Sequence, residues 1–153
     1  MIELRKIDTD NWEDIIGLSV RDEQKNFVAS NLRSLAEAYA ELNDDIVPIL
    51  FGIYNGDTAV GFTYINYWGD DDEEPYYHMC RLMIDKNHQG KGFGKLAMLK
   101  IIEHIKTFPQ GPATAMYLGI ETENEFGGKF YRSFGFEEVG INEHGEVNLR
   151  LQL

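Results

Sequence analysis

Three closely spaced glycines after an apolar strand constrain this chain more than any other sequence feature. Gly90, Gly92 and Gly94 follow the apolar residues 82–84, and an amphipathic helix begins within the same turn. Glycine has no Cβ, so several backbone N–H groups can converge on one point. The first N–H groups of a helix lack internal partners, and its dipole favours negative charge there. The segment therefore predicts an anion site suited to a phosphate or pyrophosphate.

Spacing separates the known phosphate-binding patterns. A nucleoside-triphosphate loop needs four residues between its glycines and then Lys-Ser/Thr, but three residues separate Gly90 from Gly94, and Leu96 stands at the hydroxyl position. The dinucleotide fingerprint fits Gly92-x-Gly94-x-x-Ala97 locally. That fingerprint opens a doubly wound domain, whereas the half of this chain before the glycines is typical of hairpins. The spacing excludes the nucleoside-triphosphate loop, and the hairpin-like first half of the chain disfavours the dinucleotide fingerprint.

Composition is typical of one globular domain spanning residues 1–153. Hydrophobic residues make up 43% of the chain, and Cys80 is its single cysteine. One cysteine cannot form an intramolecular disulfide, and in a predicted strand it is expected to act as a small buried hydrophobe. No apolar run approaches the roughly 18 residues that span a membrane, and no signal-peptide pattern opens the chain. We expect a cytoplasmic protein without a membrane partner.

The formal net charge of −12 disfavours nucleic acid as a partner, and it either favours a cationic substrate or simply keeps the protein soluble. Residues 70–74 form the densest acidic run, either as a solvated loop or as the rim of a substrate channel. The four histidines are scattered, and neither His-Glu-x-x-His nor paired cysteines occur. No metal site is therefore predicted.

Hydrophobic periodicity predicts seven strands and four helices along the chain. Ser34-x-x-Glu37 is interpreted as the capping box that opens the second helix, and Asn55-Gly56 as a hairpin turn. The predicted strands are 2–7, 46–54, 58–68, 76–84, 113–120, 134–141 and 146–153, and the predicted helices are 12–19, 34–42, 92–106 and 124–132.

Two motifs, together with this order of strands and helices, resemble those of the GNAT superfamily of N-acetyltransferases. Gln89-Gly90-Lys91-Gly92-Phe93-Gly94 is similar to its acetyl-CoA pyrophosphate loop. Downstream, Asn124 follows an apolar strand, Tyr131 comes seven residues later, and Gly135-Phe136 follows. The element order matches over almost the whole chain. Residues 24–38 further resemble bacterial spermine/spermidine or diamine acetyltransferases.

The resemblance implies an α/β fold with a mixed, mostly antiparallel central sheet and helices on both faces. It implies transfer of acetyl from acetyl-CoA to a primary amine, a polyamine or diamine, by direct attack in a ternary complex. Other small amines, a protein lysine or N-terminus, and a non-catalytic CoA-binding sensor remain alternatives. A homodimer is a further expectation.

The same resemblance implies which residues hold acetyl-CoA. Asn124 and Tyr131 would meet the pantetheine arm from the second motif. Gly127 and Gly128 depart from the pattern, which has better helix formers there, and each weakens the helix by about 1 kcal/mol relative to alanine. The remaining expected cofactor residues are Leu82, Met83, Ile84, Gln89, Gly90, Lys91, Gly92, Phe93, Gly94 and Lys95.

Catalytic roles follow from the same matching. Tyr131 is the expected general acid for the leaving thiolate, with a purely packed aromatic as the alternative. His78 falls where some superfamily members carry a catalytic glutamate, so it is a candidate base. The alternative for His78 is a surface histidine at a strand end. Glu23 and Glu37 are candidate ligands of the substrate ammonium group, or alternative bases.

Overall fold

A seven-stranded sheet organises the protein, and the computed structural model describes residues 1–69 and 73–153. The strands lie in the order β1-β2-β3-β4-β5-β7-β6, and only the β4–β5 pair is parallel. The mixed, mostly antiparallel sheet that the sequence predicts is confirmed. The strands are β1 Ile2–Lys6, β2 Val47–Asn55, β3 Thr58–Trp68, β4 Tyr76–Ile84, β5 Ala115–Ile120, β6 Glu137–Ile141 and β7 Val147–Gln152.

Helices cover both faces of the sheet, as predicted. They are α1 Trp12–Ile16, α2 Asn31–Glu41, α3 Phe93–Ile105 and α4 Glu125–Arg132. Ile15 of α1 and Ala38 of α2 pack in one core cluster with Phe62 of β3. Met98 and Ile101 of α3 belong to a second cluster, and packed against it are Phe130 and Tyr131 of α4 and Phe134 just after α4. We call the two sides of the sheet the α2 face and the α3 face.

The predicted capping box at Ser34-x-x-Glu37 is wrong. Helix α2 begins one turn earlier, where Ser30 is the N-cap and its hydroxyl accepts a hydrogen bond from the N–H of Arg33 at 3.1 Å. Ser34 is buried, and its hydroxyl donates to the carbonyl of Ser30. Serine is a favoured N-cap residue, so the sequence alone does not choose between Ser30 and Ser34. Because Ser34 is buried and bonds back to the preceding turn, Ser30 is the cap.

Leu96 and Leu99 are apolar but do not lie on the buried side of α3. These side chains are 47% and 48% exposed, and the buried side of α3 carries Ala97, Met98, Ile101 and Ile105. Other boundaries shift by a few residues: β5 begins at Ala115 and β6 at Glu137. A short 3-10 turn at Asp22–Gln24, which the periodicity does not predict, precedes α2.

Strands β4 and β5 stay together for only three residue pairs. Tyr76 pairs with Ala115, and the last pair joins His78 to Tyr117. Both strands continue beyond that point, to Ile84 and Ile120, without pairing to each other. Their divergence opens a gap in the middle of the sheet.

A β-bulge in β4 lies beside this gap. Arg81 pairs with Tyr64 and Met79 pairs with Ile65, so Cys80 is the extra residue. A bulge lets two consecutive side chains point to the same face. Cys80 packs against the α2-face cluster, and Arg81 reaches Glu37 of α2. The bulge therefore directs two neighbouring side chains toward α2.

Candidate functional site

A cavity of about 630 Å³ fills the gap between β4 and β5. Its walls come from both faces of the sheet: Arg21 and Gln24 lie between α1 and α2, and Asn124 and Tyr131 lie at α4. The cavity therefore connects the α2 face to the α3 face. The predicted cofactor residues in its walls are Leu82, Met83, Ile84, Gln89, Gly90, Gly92, Phe93, Gly94, Lys95, Asn124 and Tyr131.

Four predicted site residues do not line this cavity. Lys91 is exposed on the glycine turn, and Glu23 is exposed on the 3-10 turn. His78 and Glu37 are half-buried, and neither is among the residues of the cavity wall.

The glycine turn has the backbone geometry that an anion site needs. Gly90 and Gly92 have φ angles of +76° and +81°, and an added Cβ at either position would meet nothing within 4 Å. Gly92 is the N-cap of α3. Among the described residues, the backbone N–H groups from Gln89 to Lys95 have no hydrogen-bond acceptor. The turn thus offers a set of unpaired donors next to open space.

Two side chains join this turn to the connection between α1 and α2. Gln89 donates from Nε2 to the carbonyl of Ile84 at 3.0 Å and to Oε1 of Gln24 at 2.9 Å. The buried carboxylate of Asp85 accepts from the N–H groups of Ser19, at 2.9 Å, and Asn87, at 3.1 Å. The sequence reasoning missed Gln24 and Asp85. The spacing of Asp85 to Asn87, typical of an Asx turn, is a signal for the second.

Asn124 accounts for Gly127, the first of the two unusual glycines of α4. Its Oδ1 accepts the N–H of Gly127 at 2.9 Å, which caps the helix. A Cβ on Gly127 would lie 2.5 Å from Nδ2 of Asn124. The missing Cβ makes room for the Asn124 amide over the first turn. The low helix propensity at this position is therefore linked to a capping contact.

Tyr131 is held by aromatic contacts and lines the cavity. Its ring packs edge-on against Phe130 at 5.1 Å and Phe136 at 5.9 Å between centroids. Among the described residues, its hydroxyl has no hydrogen-bond partner. Burial raises the pKa of the phenol above its usual value, so the hydroxyl stays protonated at neutral pH. Tyr131 is therefore both a packed aromatic residue and an available proton donor.

His78 is not the strand-end surface residue that its alternative interpretation describes. It is the third residue of β4, at the last pair with β5, and its Nδ1 lies 3.4 Å from Sγ of Cys80. Burial lowers the pKa of His78, and the nearby carboxylate of Glu146 opposes that shift. The imidazole is therefore neutral at neutral pH. Burial also raises the pKa of Cys80, to about 12, so this cavity-lining side chain is a thiol.

Glu37 already has two cationic partners. Its carboxylate lies 2.9 Å from Nε of Arg33 and 3.1 Å from Arg81. Of the acidic run, Glu73 and Glu74 are exposed, whereas Asp70, Asp71 and Asp72 lie outside the described residues.

The charge of the cavity is opposite to that of the chain. Its charged lining side chains are Arg21, Arg81 and Lys95, and no described aspartate or glutamate lines it. The formal net charge of the protein is −12. The sequence reasoning missed Arg21 and Arg81, because only the fold brings them to the cavity. An anionic ligand is therefore favoured inside it.

None of the helices in the described part of the chain is long and apolar enough to cross a membrane. Within residues 1–69 and 73–153, no three metal-ligating side chains form a group that could hold an ion.

Sequence and structure comparisons agree with this geometry. The chain is 28% identical over 149 residues to a probable spermine N(1)-acetyltransferase of Bacillus subtilis subsp. natto, covering 95% of this chain and 94% of that protein. It is 27% identical, with the same coverage, to the spermine/spermidine N(1)-acetyltransferase of Bacillus subtilis strain 168. The crystal structure of PaiA N-acetyltransferase from Thermoplasma acidophilum in complex with coenzyme A aligns with a TM-score of 0.72. That alignment has 16% identity and covers 100% of this chain and 99% of the other.

The family assignment rests on the length of a sequence-family match. Residues 5–136, which include the glycine turn, Asn124 and Tyr131, match the acetyltransferase (GNAT) family. This span is well over half of the chain, so the chain belongs to the acetyltransferase (GNAT) family and is an N-acetyltransferase that uses acetyl-CoA.

Proposed function

We propose that this enzyme acetylates a primary amine of a polyamine or diamine by direct attack in a ternary complex. The observation that carries the proposal is the cavity that passes through the β4–β5 gap, with unpaired backbone donors at its glycine turn. One end suits the phosphates of acetyl-CoA, and the other opens toward α2. The two Bacillus subtilis relatives support the polyamine, and the net charge of −12 favours a cationic acceptor.

The cofactor half is built mainly from the backbone. N–H groups from Gln89 to Lys95 would hold the pyrophosphate, with Arg21 and the Lys95 ammonium adding positive charge. Residues 82–84 of β4 pair with β3 on one edge only, so the edge that faces the gap can hydrogen-bond the pantetheine amides. Asn124 and Tyr131 would contact the arm from α4. Bound acetyl-CoA supplies the thioester whose acetyl group is transferred.

Proton transfer is assigned to Tyr131 and His78. When the amine nitrogen forms its bond to the acetyl carbon, the C–S bond breaks and the sulfur needs a proton. Tyr131 holds that proton on a hydroxyl with no competing partner among the described residues. The neutral imidazole of His78 takes the proton that the amine loses as it attacks. This transfer passes through water, since His78 precedes Met79 of the cavity wall in sequence and does not line the cavity itself.

Cys80 favours direct attack over a covalent acetyl-cysteine. Its thiol lines the cavity, but a pKa of about 12 leaves almost no thiolate at neutral pH. Because the thiolate is the nucleophilic form of cysteine, Cys80 is a poor first acceptor for the acetyl group.

The substrate assignment is tested by thiol release from acetyl-CoA with spermidine, spermine, a lysine peptide and an aminoglycoside. We expect kcat/KM for the two polyamines to exceed that for the peptide and the aminoglycoside by about tenfold or more, because specific binding contacts discriminate between substrates by about this factor. Faster release with the peptide would indicate a protein acetyltransferase. Saturable acetyl-CoA binding without thiol release for any amine would indicate a sensor.

Gly92→Ala tests the glycine turn. The left-handed conformation costs a non-glycine residue about 1–2 kcal/mol, and the new Cβ enters the space where the pyrophosphate is proposed. Calorimetric titration should show acetyl-CoA affinity reduced about tenfold or more. Gly56→Ala is the matched control, because Gly56 has φ +62° in the β2–β3 turn and does not line the cavity. It should lose similar stability in urea but bind acetyl-CoA normally. Normal binding by Gly92→Ala would contradict the proposed role of the turn.

Tyr131→Phe tests the general acid. We expect kcat to fall by about 100-fold or more, with acetyl-CoA affinity unchanged, because only the proton donor is removed. The free energy of unfolding should change by less than about 0.5 kcal/mol, since the hydroxyl has no partner among the described residues. Tyr54→Phe, away from the cavity, controls for loss of a hydroxyl. A normal kcat in Tyr131→Phe would leave the ring with a packing role only.

His78→Gln tests the base through the pH profile of kcat. Only the neutral imidazole accepts a proton, so the wild-type rate should fall as pH drops through the His78 pKa, below its ordinary value of 6.5, and be constant above neutrality. Glu146, Arg81 and Glu41 act on that pKa. The variant should be slower and lack the inflection, whereas His104→Gln on α3 should keep it. An unshifted inflection in His78→Gln would exclude His78.

A further inference from the structure

Glu146 is not part of the cavity wall, but it places a carboxylate directly beside the cavity-lining Gly119, on the α2 face. It directly precedes β7, and a Cβ built on Gly119 of β5 would lie 2.9 Å from its Oε1. Gly119 lines the cavity, two residues beyond the last β4–β5 pair. Its neighbours Leu118 and Ile120 are buried in the α3-face cluster, so position 119 faces the other way. The missing side chain of Gly119 leaves the space that the Glu146 carboxylate fills.

The turn between β6 and β7 holds this carboxylate in place. Nδ2 of Asn142 donates to Oε1 of Glu146 at 3.1 Å. Oδ1 of Asn142 accepts the backbone N–H groups of Glu146, at 3.0 Å, and His144, at 2.9 Å. Oε2 of Glu146 has no hydrogen bond among the described residues. One oxygen is therefore fixed, and the other is available to a donor.

Two other carboxylates on this face, Glu37 and Glu41, already have partners. Glu37 lies between Arg33 and Arg81, and Glu41 accepts the hydroxyl of Tyr64. The cavity itself carries positive side chains at Arg21 and Arg81. A cationic amine that approaches the gap from the α2 face is therefore repelled by the cavity lining. Glu146 supplies the opposite charge at that point, close enough to act on His78.

We propose that Glu146 binds the ammonium group of the amine acceptor and sets the preference of the enzyme for cationic amines. The inference rests on the proposed function, since it concerns the acceptor of that same reaction. The ammonium donates to Oε2 of Glu146 as the amine reaches the gap. The ammonium gives its first proton to solvent water before attack, and His78, at the last β4–β5 pair, takes the second proton as the C–N bond forms. Glu146 is a specificity residue, and neither motif of the sequence contains it.

Glu146→Gln removes the charge and preserves the shape. The amide oxygen of glutamine still accepts from Asn142, so the turn keeps its hydrogen bond. We expect KM for spermidine to rise about tenfold or more, with kcat changed less than about threefold, as for loss of one charge-assisted hydrogen bond. KM for hydroxylamine, a neutral nucleophile at pH 8, should stay the same. Titration of spermidine into the enzyme saturated with CoA should show the same loss of affinity.

Glu143→Gln is the matched control in the same turn. The Glu143 side chain is 86% exposed and lies 3.5 Å from His144, so its loss should leave every KM unchanged. A normal KM for spermidine in Glu146→Gln would overturn the inference. An equal loss with hydroxylamine would also overturn it, because a structural defect does not depend on the charge of the acceptor.

The same variants separate this inference from the polyamine assignment. If the wild-type enzyme acetylates another cationic amine and not spermidine, the polyamine assignment fails. A KM increase for that amine in Glu146→Gln would then still support Glu146. If the wild-type enzyme acetylates only neutral amines, both statements fail.

Discussion

The early separation of β4 from β5 is the constraint on which the rest of this structure depends. Parallel neighbours normally satisfy each other's backbone groups along their whole length. Here pairing stops after His78 and Tyr117, so both strands have an edge that needs other partners. The cavity lies along those edges, with α4 on one side and the α1–α2 connection on the other. A single interruption of the sheet thus supplies both the binding space and the backbone groups proposed to hold acetyl-CoA.

The charge distribution suits an anionic cofactor and the proposed cationic acceptor. The protein has a net charge of −12, yet Arg21, Arg81 and Lys95 line the cavity. Arg81 owes its position to the bulge at Cys80, and its contact with Glu37 neutralises a carboxylate that the sequence suggested for substrate binding. The proposed ammonium contact is assigned instead to Glu146, which lies beside β5, across the gap from Arg81 on β4. Anion binding inside the cavity and cation binding at its α2-face opening then do not compete.

Local spacing relates the residues that are proposed to hold acetyl-CoA. The glycine turn works through successive backbone positions, and Asn124 and Tyr131 lie on one short helix, so neighbours in sequence remain neighbours in space. Burial is harder to predict. Ser34 has the composition of a cap, but the contacts of α2 place it inside the helix and give the cap to Ser30. Leu96 and Leu99 are as apolar as Ile101, and only the position of α3 against β1 and β4 exposes them.

The sequence by itself determined the family and the element order, because these depend on short-range patterns. Only the tertiary structure decided which side chains meet at the gap. Gly119, Glu146 and His78 come from two strands and a turn, and no spacing rule relates them. Arg81 faces α2 because a single extra residue in β4 changes the side-chain alternation. The proposed acceptor half therefore depends on strand divergence and on the bulge, which are properties of strands packed against one another.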